Sequence, residues 1–352
     1  MFLFAIKMKL INLCQISNEN TKLEVFINEL ERNEQEFEFQ SSGSTGQPKA
    51  YFFTREQLEI SAKQTIDFFR LSEEDLLLCP FSMDFVAAKM MLARAYFLNA
   101  TLVFTGPIGN PFAFKDLPEV SFVALVPKQM QNIFQNEDSL ERLNQANNII
   151  IGGAPISAQL ENEITRNVTA SVFHTYGMTE TLTHVAVRNL KEEAALYEGL
   201  KGVSFKRDQR GCLQIKSPLS AQWLTTNDLV ELTSSGFYWK GRFDLIINSA
   251  GYKIQVDSLE FRLSSQVEVN QLFICGINSS EFGEECIVVS NDDKPRDFEK
   301  VFESNQFHKY EKPKKWVTLA EFPFGNSGKI QRAKLKELAT QAVLNGEYQN
   351  LV

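Results

Sequence analysis

The sequence predicts a large α/β unit followed by a smaller α+β unit, and two features along the chain support this prediction. In the first two-thirds, short β-branched runs at 101–105, 121–126, 148–153 and 171–177 alternate with helical patterns. Such alternation is typical of a sheet whose strands end in ligand-binding loops. From Gly211 onward the pattern changes to short strands with tight turns. The two parts of the chain are therefore expected to fold differently.

A helix with a defined start is predicted in the first part of the chain. Thr54 and Gln57 have the spacing of a capping box, in which each side chain bonds the other residue's backbone N–H. The apolar residues that follow share one helical face: Leu58, Ala62, Ile66 and Phe69. This pattern predicts an amphipathic helix that begins at Thr54.

A boundary between two domains is predicted near Asp244. The last third has its own mix of elements: a helix near 257–265, strands at 272–277 and 286–290, and a charged helix from about Ala333. We therefore assign residues 1–243 to a first domain and residues 244–352 to a second.

Composition and charge exclude several classes of protein. The chain has 352 residues, of which 43% are hydrophobic and 23% charged, so it is neither wholly disordered nor fibrous. Its 36 Lys and Arg against 44 Asp and Glu give a net charge of −8. That balance argues against a broad nucleic-acid or anionic-membrane surface, so no nucleic-acid partner is expected.

Cysteine usage and hydropathy indicate a cytoplasmic protein. The five Cys contain no C-x-x-C pair and the three His form no zinc pattern, so reduced thiols are expected. No apolar run approaches the ~20 residues that span a bilayer, so no membrane insertion is expected. Lys7 and Lys9 interrupt the apolar N-terminus, which favours a buried strand over a signal peptide.

The strongest local signal is the segment 39–54, which combines hydroxyls, glycines and a cation. Converging hydroxyl and backbone N–H donors with a nearby cation suit a polyphosphate. Its spacing does not fit the G-x-x-x-x-G-K-[ST] loop of other nucleotide-binding enzymes. By itself the segment could equally be a flexible polar turn between strands. The candidate phosphate-binding residues are Ser41, Ser42, Gly43, Ser44, Thr45, Gly46 and Lys49.

A second candidate segment, 174–180, follows a buried run where a ligand loop is expected. Tyr176 could stack on a base, Thr179 could donate to a phosphate, and Glu180 could hold Mg²⁺. Taken alone, the segment could equally be a turn with a core tyrosine. Its position after a strand is what makes it a candidate site.

Two further segments carry charged residues near turns. Asp228 and Arg242 suit the recognition of ribose hydroxyls and phosphate oxygens, although such residues are usually solvated or locally bonded. Lys329 lies in a glycine-flanked loop within 322–332, where an exposed surface lysine is the ordinary alternative.

In this order, the four segments resemble the adenylate-forming superfamily of acyl-CoA synthetases, peptide-synthetase adenylation domains and luciferases. The resemblance covers about residues 39–335. It implies a large α/β N-terminal adenylate-forming domain and a small mobile α+β C-terminal domain, with Asp244 as the hinge. Typical relatives have a long subdomain ahead of the phosphate loop, so the first domain is expected to be truncated at its start. Residues 1–33 or a second subunit, in a homo-oligomer, would then close the acyl pocket.

The same resemblance implies an ATP site built from loops. The 41–49 loop would hold the β- and γ-phosphates. Thr179 would contact the α-phosphate and the substrate carboxylate, Glu180 would bind Mg²⁺, and Lys329 would assist formation of the acyl-adenylate. The residues implied to bind the adenosine part are Gly153, Ala154, Pro155, Tyr176, Gly177, Asp228 and Arg242.

The acid is expected to bind against the segment 78–104, where Lys89 and Arg94 interrupt an apolar helix. Unpaired cations in an apolar helix are costly, so each needs a partner. Five residues apart, they point about 140° from each other, so both are not expected in one pocket. Each could reach solvent or an acidic residue, or could bind a second carboxylate of the substrate.

The shortened first domain and three segments of the chain most resemble the o-succinylbenzoate–CoA ligases of menaquinone biosynthesis. These segments are 87–95, 149–156 and 174–190. The implied reaction joins a dicarboxylic acid to CoA through an acyl-adenylate and releases AMP and diphosphate. Two alternatives remain open: a ligase of another aryl or fatty acid, and a nucleotide-binding module that has lost catalysis.

Overall fold

The computed structural model describes residues 8–41, 49–193, 195–267, 269, 271–303, 306–325 and 330–351. The strands are β1 (Lys9–Asn12), β2 (Glu36–Gln40), β3 (Ala50–Thr54), β4 (Leu76–Cys79), β5 (Thr101–Phe104), β6 (Phe122–Leu125), β7 (Asn148–Ile151), β8 (Ser171–Gly177), β9 (His184–Asn189), β10 (Tyr197–Gly199), β11 (Ser204–Arg207), β12 (Cys212–Lys216), β13 (Leu224–Leu232), β14 (Gly236–Arg242), β15 (Ile246–Ser249), β16 (Tyr252–Gln255), β17 (Leu272–Ser279), β18 (Gly283–Ser290), β19 (Lys315–Thr318) and β20 (Gln349–Asn350). The helices are α1 (Ser17–Glu31), α2 (Arg55–Phe69), α3 (Val86–Leu98), α4 (Pro127–Phe134), α5 (Glu137–Leu143), α6 (Ala158–Asn167), α7 (Val256–Ser264) and α8 (Arg332–Leu344).

Twelve of these strands form one large sheet in the order β1-β5-β4-β6-β7-β8-β9-β10-β14-β13-β12-β11. The strands from β1 to β8 in this order pair in parallel, and those from β8 onward pair antiparallel. The four β-branched runs of the sequence are β5 to β8. The predicted α/β class is confirmed.

Helices cover both faces of the parallel half of this sheet. Leu77 and Leu78, adjacent in β4, are both fully buried but belong to opposite cores, because side chains alternate across a strand. One core contains residues of α1, α2 and α3, and the other contains residues of α4, α5 and α6. The loops at the carboxyl ends of the strands therefore lie between two helical layers.

Helix α2 begins as its sequence predicts. Gln57 N–H donates to Thr54 Oγ1 (3.2 Å), and Thr54 N–H donates to Gln57 Oε1 (2.8 Å), which completes the capping box. Leu58 and Ala62 on the predicted face are fully buried. The apolar N-terminus was predicted to be a buried strand, and its residues 1–7 lie outside the described residues. The described strand, β1, lies at the edge of the sheet, and Leu10 is 39% exposed. An edge strand has a neighbour on one side only, so it is covered less completely.

The last part of the chain forms a second sheet in the order β16-β15-β18-β19-β20, with β17 paired to β18. Helix α7 contributes to the core on one side and α8 to the core on the other. Along the chain, the last strand of the large sheet is β14, which ends at Arg242, and the first strand of the second sheet is β15, which begins at Ile246. The turn Phe243–Leu245 between them contains Asp244. Within the described ranges, no helix is long and apolar enough to cross a membrane.

Candidate active site

The candidate site is built from loops that follow β7 and β8 and from the hairpin of β2 and β3. This hairpin carries the predicted phosphate loop. Ser41 N–H donates to the Lys49 carbonyl (2.9 Å), and Lys49 N–H donates to Ser41 Oγ (3.0 Å), so the two ends of the loop are held together. Buried phenylalanines anchor the hairpin in the core: Phe37, Phe39 and Phe53. The predicted ligands Ser42, Gly43, Ser44, Thr45 and Gly46 lie outside the described residues.

The β7 loop (residues 152–155) has a backbone that needs glycine. A Cβ at Gly152 would lie 2.3 Å from Thr175 Oγ1, and Gly153 has φ +82° in the left-handed region. The three predicted adenine-binding residues of this loop are exposed or half-buried: Gly153, Ala154 and Pro155. Their surface is accessible to a ligand.

The β8 turn (residues 178–183) carries the predicted catalytic residues Thr179 and Glu180. A single 3-10 turn spans Thr179–Thr181, and Thr181 Oγ1 donates to the Thr183 carbonyl at 2.7 Å. Leu182 has φ +62° and ψ −40°, although it is not glycine, and its side chain is fully buried. Such a backbone persists only where its surroundings determine it, and it is common at functional sites. The turn is therefore a constrained element rather than a free loop.

Tyr51 joins the hairpin to the β8 turn, which the sequence did not predict. Its hydroxyl donates to Glu180 Oε1 at 2.7 Å, and this hydrogen bond raises the pKa of the phenol. The carboxylate of Glu180 is exposed. The only local signal for this contact is an aromatic hydroxyl two residues after Lys49.

Tyr176 and Asp228, both predicted to bind the nucleotide, are in direct contact. The Tyr176 hydroxyl donates to Asp228 Oδ2 (2.6 Å), and Trp239 Nε1–H donates to Asp228 Oδ1 (3.0 Å). Burial and the Asp228 charge raise the pKa of Tyr176. The ring of Tyr176 packs edge-on against Phe237 at 5.1 Å. Trp239 was not predicted, because only the pairing of β13 with β14 brings it to Asp228.

Arg242 lies opposite Asp228 in the register of β13 and β14, and it reaches the predicted hinge. Its Nε and Nη2 donate to Asp244 Oδ1 (2.8 Å) and Oδ2 (2.7 Å), and the pair is a little under half exposed. This hydrogen-bonded pairing lowers the pKa of Asp244. The candidate ribose residue and the candidate hinge residue therefore form one ion pair.

The segment after Lys329 is anchored close to Arg242, while Lys329 itself lies outside the described residues. Arg332 donates to both carboxylate oxygens of Glu260, at 2.5 and 2.6 Å. Asp257 Oδ2 accepts from the backbone N–H of Arg242 (2.9 Å), and its other oxygen lies 4.0 Å from Arg332. Burial, with the nearby Glu260 charge, raises the pKa of Asp257 to about 6. Helices α7 and α8 are thus linked to the end of β14.

Arg94 and Lys89 have different surroundings, as their helical spacing predicts. Arg94 is 2% exposed; its Nη2 donates to Thr183 Oγ1 at 2.9 Å, and its Nε is buried with no partner among the described residues. Burial lowers the pKa of Arg94 to about 10. Half-buried Lys89 instead donates to the Glu38 carbonyl (2.8 Å), with its Nζ 5.2 Å from the centre of the Phe39 ring. Of these two cations, Arg94 is the one that forms a hydrogen bond to the described residues of the β8 turn.

The fold and these loops define an α/β nucleotide-binding enzyme with a small α+β unit after it. Residues 39–205 match the family model of the AMP-binding enzymes. The crystal structure of an acyl-CoA synthetase (AMP-forming)/AMP-acid ligase II-like protein from Dyadobacter fermentans is 31% identical, with 92% of this chain and 94% of that chain covered and a TM-score of 0.60. The chain belongs to the AMP-binding enzyme family.

Two further relatives are more distant in sequence. The 2-succinylbenzoate–CoA ligase of Escherichia coli is 24% identical over 312 residues, which are 84% of this chain and 67% of that protein. The o-succinylbenzoate coenzyme A synthetase of Bacillus subtilis, solved in complex with ATP and a magnesium ion, is 21% identical with a TM-score of 0.70. That comparison covers 85% of this chain and 69% of the synthetase.

Proposed function

We propose that this enzyme is an AMP-forming acid–CoA ligase that converts o-succinylbenzoate, ATP and CoA to o-succinylbenzoyl-CoA, AMP and diphosphate. The pathway would be menaquinone biosynthesis, and the compartment the cytoplasm. The observation that carries the choice of acid is the guanidinium of Arg94, which is buried beside the β8 turn. Similarity to the Escherichia coli ligase supports the same substrate.

Arg94 supports a substrate with two carboxylates. A buried cation is stable only when it is paired or hydrogen-bonded, because desolvation disfavours its charge. Among the described residues, Arg94 forms no ion pair, and its one oxygen partner is the hydroxyl of Thr183, three residues after Glu180. We infer that the missing anion is the second carboxylate of the acid, while the first reacts near Thr179.

The nucleotide would lie between the hairpin loop and the ends of β7 and β8. Tyr176 and the β7 loop would bound the adenine, and Asp228 with Arg242 would bind the ribose. The donor set at Glu180 fits Mg²⁺, since this ion commonly uses one or two carboxylates together with substrate phosphates. With one oxygen bonded by Tyr51, the carboxylate keeps a second oxygen for the ion. When bound, Mg²⁺ would neutralise charge on the phosphates.

The reaction would run in two steps. The acid carboxylate attacks the α-phosphorus of ATP, the bond to diphosphate breaks, and an acyl-adenylate forms. The CoA thiol then attacks the acyl carbonyl and AMP leaves. Thr179 and Lys329 would stabilise charge that develops on the phosphoryl oxygens in the first step. No covalent enzyme nucleophile is needed.

A division into residues 1–243 and 244–352 would allow the second domain to move between these steps. The change of sheet at the turn Phe243–Leu245 supports this division, with Asp244 as the pivot. CoA would approach from the second domain, where a cleft of about 250 Å³ offers cations and an aromatic ring. The lining includes Lys309, Tyr310, Lys312 and Lys314. Such groups suit a nucleotide phosphate and its base.

Release of AMP and formation of thioester from o-succinylbenzoate, ATP and CoA test the proposal. Benzoate, a fatty acid and a monoester of o-succinylbenzoate serve as matched acids that lack a second charge. We expect the dicarboxylate to have the highest kcat/KM. If a monocarboxylate is preferred, the enzyme is another acid–CoA ligase. If ATP binds but no acid releases AMP, the ligase activity itself is refuted.

A further inference from the structure

A chain of buried and half-buried side chains connects the half-buried ion pair of Glu161 and Arg188 to the β7 loop. Glu161 of α6 pairs with Arg188 of β9 through two hydrogen bonds, at 2.9 and 2.7 Å. The guanidinium of Arg188 lies 5.8 Å from the ring centre of Tyr197, whose hydroxyl is 2.6 Å from His174 Nδ1. His174 Nε2 in turn lies 3.1 Å from the carbonyl oxygen of Ala154. The imidazole is thus the last link before the loop.

These partners determine the protonation of the imidazole. A carbonyl oxygen can only accept, so Nε2 of His174 carries the hydrogen that is donated to Ala154. Burial lowers the pKa of His174 to about 4, so the ring is neutral near pH 7 and Nδ1 accepts from the Tyr197 hydroxyl. Both ring nitrogens are used, and each has one partner with a defined role.

The loop is held at two points by adjacent residues of β8. Thr175 Oγ1 donates to the carbonyl of Ile151 (3.2 Å) and lies against Gly152, so it sets the start of the loop. His174 holds the carbonyl of Ala154, on the far side of Gly153. Gly153, with its left-handed backbone, lies between the two points, so without the second contact the loop can change conformation.

We propose that His174 is a positioning residue for the nucleotide, which holds the β7 loop in the conformation that receives the adenine. This inference rests on the adenine site of the proposed function, but not on the identity of the acid. His174 would act through Ala154 and would not contact the nucleotide itself. Its loss would therefore weaken nucleotide binding and leave the reacting groups in place.

The test measures binding of AMP to the whole enzyme by calorimetry, with no acid present. Loss of the hydrogen bond in His174→Leu should weaken AMP affinity about three- to tenfold, the usual worth of one such bond. His174→Gln can still donate from its amide to Ala154, and we expect it to bind AMP as the wild type does. In turnover, His174→Leu should raise KM for ATP, with kcat at saturating ATP nearly unchanged.

A matched control separates positioning from a general loss of packing. His184 is a second buried histidine, 6% exposed, and its ring contacts Thr65 (3.2 Å) and Thr183 (3.4 Å) instead of the β7 loop. His184→Leu should lower the melting temperature about as much as His174→Leu but leave AMP affinity unchanged. Should His174→Leu fail to fold, Tyr197→Phe removes the orienting hydroxyl and keeps the ring that stacks on Phe237. We expect it to weaken AMP binding also.

Any of three results would overturn the inference. The first is unchanged AMP affinity in His174→Leu or, if that variant does not fold, in Tyr197→Phe. The other two are a loss of AMP affinity in His174→Gln, or in His184→Leu, that equals the loss in His174→Leu. Failure of the adenine site is a separate outcome. Tyr176→Leu would then bind AMP like the wild type, whatever the His174 variants do. An error in the identity of the acid would leave all these measurements unaffected.

Discussion

Replacing Arg94 with methionine should remove selectivity for a dicarboxylic acid without destabilising the protein. The guanidinium is 2% exposed and has no ion-pair partner among the described residues, so its charge is desolvated in the free enzyme. Removing the partner of a desolvated charge costs about 2–5 kcal/mol, or about 30- to 5,000-fold in kcat/KM. Deep burial of Arg94 favours the upper part of this range.

Arg94→Met should lower kcat/KM for the dicarboxylic acid without lowering the stability of the protein. An unpaired buried cation opposes folding, and methionine fills a similar volume without a charge. We expect the melting temperature of Arg94→Met to equal or exceed that of the wild type. The loss of the hydrogen bond to Thr183 would be offset by the desolvation that is avoided.

The assay compares kcat/KM for o-succinylbenzoate with that for its monoester, in wild type and variant. Arg94→Met should lower the first value and leave the second nearly unchanged. Lys89→Met is the matched control, because Lys89 contacts Glu38 and two phenylalanine rings instead of the β8 turn. Lys89→Met should leave the ratio of the kcat/KM values for the two acids as in the wild type. An equal loss for both acids in Arg94→Met would refute recognition of the second carboxylate.

Three further predictions concern the proposed metal ligand Glu180, the proposed hinge Asp244 and the proposed catalytic lysine, Lys329. Tyr51→Phe should raise the Mg²⁺ concentration for half-maximal ATP binding about three- to tenfold in calorimetry, because the phenol orients Glu180. If Glu180→Gln raises this concentration and Tyr51→Phe does not, the prediction is wrong. Asp244→Pro fixes φ near −65°, so single-turnover rates of adenylation and thioester formation should fall unequally; equal losses would indicate misfolding or another pivot. Lys329→Ala should slow adenylation about 10²–10³-fold but convert synthetic acyl-adenylate and CoA at nearly the wild-type rate. Loss of both steps with an intact circular dichroism spectrum would contradict movement of the second domain between the two steps.

Features that depend on neighbours along the chain could be predicted from the sequence. The strands β5 to β8 follow from short β-branched runs, and the start of α2 follows from Thr54 and Gln57, three residues apart. The order of the four candidate segments, and the resemblance based on it, is likewise a property of the sequence alone. The exposure of Leu10 was not predictable, because a strand shows its place in the sheet only when its neighbours are known.

The sequence by itself determined the class of the fold and most of the candidate residues, whereas the tertiary structure decided their partners. The contacts of Tyr51 with Glu180 and of Arg94 with Thr183 join residues 129 and 89 positions apart. The sequence left open whether Arg94 reaches solvent, an acid or a substrate, because helical periodicity gives a direction and not a neighbour. Sheet order and strand register bring distant segments together, and they result from the packing of the whole domain.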